Sequence, residues 1–259
     1  MGAGTIIAWT DNTFNIAWGC TKISEGCAHC YAERLSRQFT HPIFGWPGIW
    51  GNHADRRIMS DTYWEKPLAW NREAERRRQP IKVFSSSMCD IFDDHPIIIK
   101  QRKRLWDLIR RTPWLTWQLL TKRAEQIKYG LPDDWEIGYP NVWLGVSIEN
   151  MNHADRADIL RITPAAIRFI SYEPALGSLK KLDLIDIDWV IYGGESGPNF
   201  RDHDPVWPLE MKDKCEQADV AFFFKQSAAI RTEMGIHLKG ELIREFPVQK
   251  STGYTLLNL

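Results

Sequence analysis

The chain is organised around the stretch GCTKISEGCAHCY, residues 19–31. Within it, three of the five cysteines fall inside eleven residues, with gaps of six and two residues between them. They are Cys20, Cys27 and Cys30. Thiolates this close in sequence can converge on one metal centre, and the two glycines, Gly19 and Gly26, let the backbone turn tightly around it. The sequence therefore predicts a metal site on a loop between a strand at 14–18 and a helix at 28–38.

The number of cysteine ligands separates two kinds of metal site. A structural zinc site is closed by four protein ligands, whereas a four-iron, four-sulfur cluster held by three cysteines leaves one iron open to a small molecule. With the aromatic ring of His29 just before the last cysteine, the loop resembles the cluster loop of the radical S-adenosylmethionine (SAM) superfamily. That superfamily most often has three residues in the first gap, not six. The alternative is a zinc knuckle with His29 or the distant His41 as its fourth ligand.

Composition limits the class of protein. The 259 residues are 44% hydrophobic, which is enough for a sizeable core, and the formal net charge is zero. The protein therefore has no net positive charge that would attract it to nucleic acid. No apolar run reaches membrane-spanning length, and no signal peptide opens the chain. Five cysteines with three in one cluster are unlike a secreted disulfide scaffold, so we expect a cytoplasmic protein without a membrane segment.

From residue 81 onward, apolar strand-like runs alternate with amphipathic stretches at intervals of roughly 25–35 residues, the size of one strand-plus-helix unit. With 14–18, the predicted strands are 81–84, 115–120, 142–146, 167–170, 189–192 and 220–224. This alternation favours a parallel sheet covered by helices. We expect one α/β domain over 1–259, a partial (β/α) TIM-type barrel of about six to seven parallel strands. It carries an irregular insertion around 39–80 and a C-terminal extension, an extra turn or hairpin, around 227–259.

Polar or charged residues follow the predicted strands at their carboxyl ends, the face that carries the chemistry in α/β barrels. The candidates are, for catalysis, Glu173 and Lys225; for cofactor binding, Ser85, Ser147, Glu149 and Glu195; and for substrate binding, Lys122 and Arg123. Turns are polar in any protein, so the argument depends on the repetition of the pattern from strand to strand.

Three of these features also have purely structural explanations. Glu195 lies in GGESG (193–197), where two glycines let a ligand approach the backbone. Its carboxylate could hold an ammonium group such as that of a methionyl moiety, bind substrate, or only end a strand. Lys122 and Arg123 could grip a carboxylate or phosphate, or begin a solvated helix. The basic runs 72–78 and 100–111 alternate with acidic or apolar residues, which favours solvated helix faces over a nucleic-acid patch.

Taken together, these motifs resemble a phage-associated family of three-cysteine-motif proteins. The matching stretches run in order across nearly the whole chain: 18–32, 119–123, 143–147, 171–174, 193–197 and 223–226. That family is similar to a divergent radical SAM group. The resemblance therefore implies a radical-SAM-like barrel with a [4Fe-4S] cluster on the three cysteines and SAM bound to its open iron. The implied reaction is one-electron cleavage of SAM to a 5′-deoxyadenosyl radical that abstracts hydrogen from a substrate.

The resemblance also implies partners. These are an electron donor of the flavodoxin or ferredoxin type and a separately encoded three-Cys-motif partner protein. The substrate stays open among nucleic acid, nucleotide and peptide. Two other functions stay open as well: a zinc-stabilised nucleic-acid-binding protein without catalysis, and a barrel that binds the cluster but does not cleave SAM.

Overall fold

The main sheet is parallel throughout and follows the order of the sequence. A computed structural model describes residues 4–39 and 48–248. The strands are β1 (Asn12–Thr13), β2 (Ala17–Trp18), β3 (Arg57–Ile58), β4 (Ile81–Ser85), β5 (Leu115–Thr121), β6 (Val142–Ser147), β7 (Ile167–Tyr172), β8 (Trp189–Gly193) and β9 (Ala221–Gln226). Apart from β2 and β3, all of them form one sheet in the order β1-β4-β5-β6-β7-β8-β9. This curled half-barrel confirms the mixed α/β class and is consistent with a partial β/α barrel.

One face of the sheet is covered by helices. The helices are α1 (Tyr31–Phe39), α2 (Asp61–Trp64), α3 (Lys66–Arg77), α4 (Pro96–Arg110), α5 (Ile127–Gly130), α6 (Asp155–Ile162) and α7 (Val206–Ala218). Leu105 of α4, Leu160 of α6 and Met211 of α7 pack with strand residues such as Leu144 in one large core. Residues 173–188, between β7 and β8, contain no helix, so the predicted alternation of strand and helix is interrupted there.

The opposite face of the sheet carries a smaller, largely aromatic core. Trp9, Trp143, Phe169, Trp189 and Phe223 belong to it, and no helix residue does. The rings of Trp143 and Trp189 meet edge to face, with centroids 5.8 Å apart. This cluster gives the half-barrel an apolar floor near the amino ends of its strands.

Towards the carboxyl ends, the same face becomes polar. Strand side chains alternate between faces with a period of two, so Ser147, Ser171 and Lys225 continue the face of the aromatic cluster. Ser147 and Ser171 are register partners on β6 and β7. The open end of the half-barrel therefore has an aromatic floor below and small or charged side chains above.

The prediction of a barrel strand over 14–18 is wrong in its bounds. Only β1 belongs to the main sheet, while β2 pairs with β3 in a separate antiparallel ribbon. The Asn15 N–H donates to Tyr63 Oη at 2.9 Å, and the Ile16 N–H donates to Ser86 Oγ at 3.4 Å. Because side chains satisfy these backbone groups, no longer strand is needed to pair them.

After β9 the chain returns along the last edge of the sheet. Following a turn at 238–241, Phe224 donates its N–H to Ile243 O at 2.9 Å, and Glu245 donates to Phe222 O at 3.1 Å. Residues 40–47 of the predicted insertion and 249–259 of the predicted extension lie outside the described residues. Within the described ranges, no helix combines the length and apolar character needed to cross a membrane.

Candidate metal centre at the carboxyl edge of the sheet

The cysteine loop, residues 19–31, lies against the segments that follow β4, β5, β6 and β8. Its three cysteines are half-buried, and none forms a disulfide. The loop begins at Gly19, whose N–H donates to Met88 O at 3.0 Å. Gly19 has a φ of 115°, and a Cβ there would lie 2.9 Å from Arg56 Cδ. A turn that only glycine adopts readily therefore brings the chain into the site.

The first anchor of the loop is Glu149, directly after β6. Ser24 Oγ donates to Glu149 Oε1 at 2.7 Å, Lys122 Nζ lies 3.1 Å from the same oxygen, and Arg156 Nη1 donates to Oε2 at 2.8 Å. The side chain of Glu149 is fully buried. Burial raises the pKa of Glu149, but Lys122, Ser24 and Arg156 outweigh it and leave that pKa below its usual value. A buried carboxylate between two cations thus ties the loop to the sheet.

Gly26 packs directly on this carboxylate. A Cβ at Gly26 would lie 2.6 Å from Glu149 Cγ and 2.8 Å from Cδ, closer than real Cβ contacts allow. A glycine is therefore required at position 26, between the first two cysteines, for the loop backbone to pack against the Glu149 side chain.

We expect Gly26→Ala to lower the free energy of unfolding by about 1–3 kcal/mol, because the added methyl group overpacks a site with no room to yield. Denaturant unfolding followed by tryptophan fluorescence measures this loss. The control is Gly4→Ala, where a Cβ would stand at an ordinary 3.6 Å from Asp11 O. Equal stability of the Gly26→Ala and Gly4→Ala proteins would contradict the packing described here.

The second anchor is Glu25, in the 3-10 turn Glu25–Cys27. His153 Nε2 lies 2.9 Å from Glu25 Oε2, and the Asn150 side-chain amide donates to Oε1. The hydrogen bond from His153, with that from Asn150, lowers the pKa of Glu25 to about 2. Both partners follow β6, so this contact fixes the same side of the loop as Glu149 does.

The third anchor joins His29 to Glu195, in the loop after β8. His29 Nδ1 lies 2.9 Å from Glu195 Oε2. Arg201 donates to the same oxygen through its backbone N–H at 2.8 Å and through Nε at 3.0 Å, and its Nη2 pairs with Oε1. Burial raises the pKa of Glu195, but the hydrogen bonds from Arg201 and His29 prevail and lower it to about 2.

The Glu195 anchor should make stability depend on pH. Its pKa falls from 4.5 to about 2 on folding, so the ionised form stabilises the protein above pH 4.5, and this contribution is lost as the pH falls towards 2. We expect Glu195→Gln to be less stable than the wild type at pH 7, with the difference shrinking between about pH 4.5 and 2. Urea unfolding at several pH values measures it. If the difference in unfolding free energy between Glu195→Gln and the wild type stays constant with pH, Glu195 does not anchor the loop through its charge. The same conclusion follows if the exposed Glu75→Gln control shows an equal difference.

Beneath the loop, Arg123 reaches the first cysteine. Its Nη1 lies 3.7 Å from Cys20 Sγ and 3.2 Å from Asp90 Oδ2, and its Nη2 donates to Thr21 O at 2.9 Å. Burial raises the pKa of the Cys20 thiol to about 12, against the opposing charge of Arg123. Arg123, predicted from the sequence as a substrate ligand, thus lies within contact distance of a cysteine of the loop.

Of the remaining predicted residues, Glu173, Lys225 and Lys122 come together on the polar side of the half-barrel. Lys225 forms an ion pair with Glu173, and Lys122 Nζ lies 3.4 Å from Glu173 O. Ser147 is buried, and its carbonyl accepts from Arg156. Ser85 is fully buried and bonds to Ser86 Oγ at 3.0 Å. Contacts thus link Glu173, Lys225, Lys122 and Glu149 to the cysteine loop. Ser85 alternates with Phe84 of the aromatic cluster, so its side chain faces the helix-covered side of the sheet with Val83.

Several residues of this arrangement were missed from the sequence. They are Ser24, His153, Arg156 and Arg201. Arg156 and Arg201 follow predicted carboxylates by seven and six residues, a spacing without meaning unless the loop geometry is known. No sequence pattern around these residues identifies them as part of the site.

The basic runs are partly paired with carboxylates. Arg76 and Arg77 both pair with Glu73, at 2.7 and 2.6 Å, and Arg104 lies 2.8 Å from Asp61. This pairing on exposed helix faces supports the solvated-face interpretation of 72–78 and 100–111 over a phosphate-binding patch.

The described side chains do not form a ready-made metal site. Across residues 4–39 and 48–248, no three His, Cys, Asp or Glu side chains are grouped so that they could hold a metal ion. A cluster or a zinc ion on the three cysteines is therefore an expectation from the sequence. His29 is engaged by Glu195, and His41 lies outside the described residues. The cluster itself stays a prediction.

Comparison with known proteins gives one match. The sequence profile of the family described as "Protein of unknown function (DUF5131)" matches residues 4–247, which include the cysteine loop and every strand. No curated protein and no solved structure matches the chain. Because the profile spans nearly its whole length, the chain belongs to the DUF5131 family.

Proposed function

We propose that this chain is a radical SAM enzyme in which Cys20, Cys27 and Cys30 hold a [4Fe-4S] cluster at the open end of the half-barrel. One observation carries the proposal: three half-buried thiols lie in a loop pinned at Glu149, His153 and Glu195 to the carboxyl edge of a parallel sheet. That edge is where α/β barrels place their chemistry. When bound, the cluster and SAM supply one-electron cleavage of the SAM sulfonium to a 5′-deoxyadenosyl radical.

The residues around the loop position this group. Arg123 donates towards Cys20 Sγ and is itself held by Asp90, so it orients one ligand. Glu195 already accepts hydrogen bonds from His29 and Arg201. We therefore give Glu195 the role of holding His29, not of gripping an ammonium group, and Glu149 the role of holding the loop.

Of the predicted charged residues, Lys122, Glu173 and Lys225 remain to contact the cofactor or the substrate. An ammonium has three donors, and the described contacts of Lys122 use two, to Glu149 and Glu173 O. Lys225 and Glu173 offer a cation and a carboxylate that can re-pair with the carboxylate and amino groups of SAM. The aromatic floor below them keeps water from the reacting centre.

The proposal includes two partners. The electron comes from a flavodoxin- or ferredoxin-like donor, and a separately encoded three-Cys-motif protein acts together with this chain. The half-exposed cysteine loop gives a donor short access to the cluster.

Anaerobic purification tests the first half of the proposal. We expect a brown protein with about four irons per chain, whereas a colourless protein with one zinc would favour the zinc-stabilised alternative. Dithionite and SAM then test the second half through the release of 5′-deoxyadenosine. An intact reduced cluster that releases none would overturn the catalytic proposal and leave a barrel that only binds the cluster.

A further inference from the structure

We propose that Arg34 and the loop after β8 bind a phosphate group of the substrate. The inference rests on the proposed function only in calling the ligand a substrate. The binding site itself consists of groups in the structure: a guanidinium packed on Gly197 and the polar loop that contains Gly197.

Arg34 lies one helical turn from the last cysteine. It follows Cys30 by four residues in α1, and its N–H donates to Cys30 O at 3.2 Å. A Cβ added at Gly197 would stand 2.9 Å from Arg34 Cζ and 3.0 Å from Nη2. The guanidinium therefore occupies the space that a side chain at position 197 would fill, and the φ of 123° at Gly197 also favours glycine. Loop and arginine are complementary in shape.

The guanidinium of Arg34 has no hydrogen-bond or ion-pair partner among residues 4–39 and 48–248. The Arg34 side chain is exposed, and its guanidinium lies against the loop backbone at Gly197. The other cations of the cysteine loop and the strand ends are each paired with a carboxylate: Lys22, Lys122, Arg123, Arg201 and Lys225. Arg34 thus presents up to five N–H donors in a fixed fork, the geometry that matches phosphate oxygens.

The local charge favours an anion. Glu195, the carboxylate of this loop, is already offset by Arg201, so Arg34 adds an uncompensated positive charge. Glu25 and Glu149, whose charges act on Arg201 in the same loop, are paired with His153 and with Lys122 and Arg156 respectively.

The same loop adds neutral donors. The Ser196 hydroxyl and the Asn199 amide make no side-chain hydrogen bond in the described part of the chain. A guanidinium, a hydroxyl and an amide on one loop suit the several oxygens of a phosphate better than the two of a carboxylate. The ligand chemistry is therefore that of a phosphate group, whether free or in an ester.

Phosphate titration of the full chain tests the proposal. The wild type, Arg34→Ala and Arg34→Lys are titrated by calorimetry with inorganic phosphate, a 5′-mononucleotide and a short single-stranded oligonucleotide. We expect Arg34→Ala to bind phosphate roughly 10- to 100-fold more weakly, the loss of a charge-assisted contact, and Arg34→Lys to recover part of it. Tighter binding of either ester than of phosphate supports the proposal and identifies the source of the group.

Arg37→Ala is the matched control, since it removes the same charge from the same helix at a residue that pairs with Glu33. It should bind phosphate within about twofold of the wild type, because its contact lies elsewhere. No phosphate binding by the wild type, or equal losses in Arg34→Ala and Arg37→Ala, would overturn the inference. The titration needs neither cluster nor SAM, so its failure is distinct from a failure to form 5′-deoxyadenosine.

Discussion

Cys20→Ser, Cys27→Ser and Cys30→Ser are each expected to lose nearly all of the bound iron while the fold survives. The thiolate is the ligand that an iron-sulfur cluster requires, and a hydroxyl does not replace it. The loop is held by Glu149, His153 and Glu195, not by the cysteines, so the secondary structure should not change. Iron per chain after anaerobic reconstitution and far-ultraviolet circular dichroism measure the two effects.

Cys89 and Cys215 provide the control, since both are buried cysteines outside the loop. Cys89→Ala and Cys215→Ala should keep the iron and lose only a little stability, about 1 kcal/mol for a small buried group. Retention of iron in the loop variants, or an equal loss in the controls, would show that the three cysteines do not form the metal centre.

Glu149→Ala is expected to give the largest loss of stability, about 3–5 kcal/mol in the free energy of unfolding. Its removal leaves two cations, Arg156 and Lys122, buried or half-buried without their carboxylate, and such uncompensated charges are strongly destabilising. Denaturant unfolding measures the loss. Hydrogen exchange should rise in the cysteine loop more than in the α4 core, because Ser24 loses its acceptor.

Two further variants separate the charge from the packing. Glu75→Gln alters an exposed carboxylate and should stay within about 0.5 kcal/mol of the wild type. Adding Arg156→Leu to Glu149→Ala removes one of the orphaned cations, so the pair should be less destabilised than the sum of the single variants. Additive losses would mean that Glu149 and Arg156 do not act as a unit.

The strands after residue 80 could be predicted because each of them is a continuous apolar run in the sequence. Five of the predicted runs after residue 81 begin where the strands begin, and each observed strand ends one or two residues later than predicted. The first strand could not be placed, since Asn15 and Ile16 give their N–H groups to Tyr63 and Ser86, residues far along the chain. Residues 173–188 likewise lack the helix that the repeat suggested.

By itself, the sequence determined the α/β class, the cysteine loop and the edge at which polar groups collect, because apolar runs and cysteine spacings are local properties. Only the tertiary structure decided what those groups do. Ser24 meets Glu149 across 125 residues, and His29 meets Glu195 across 166. The chain has 33 Lys and Arg residues and 33 Asp and Glu residues, so a great many ion pairs are possible if only the signs of the charges are considered. The folded backbone selects among them by bringing a few groups within hydrogen-bond distance, and it leaves Arg34 beside Gly197.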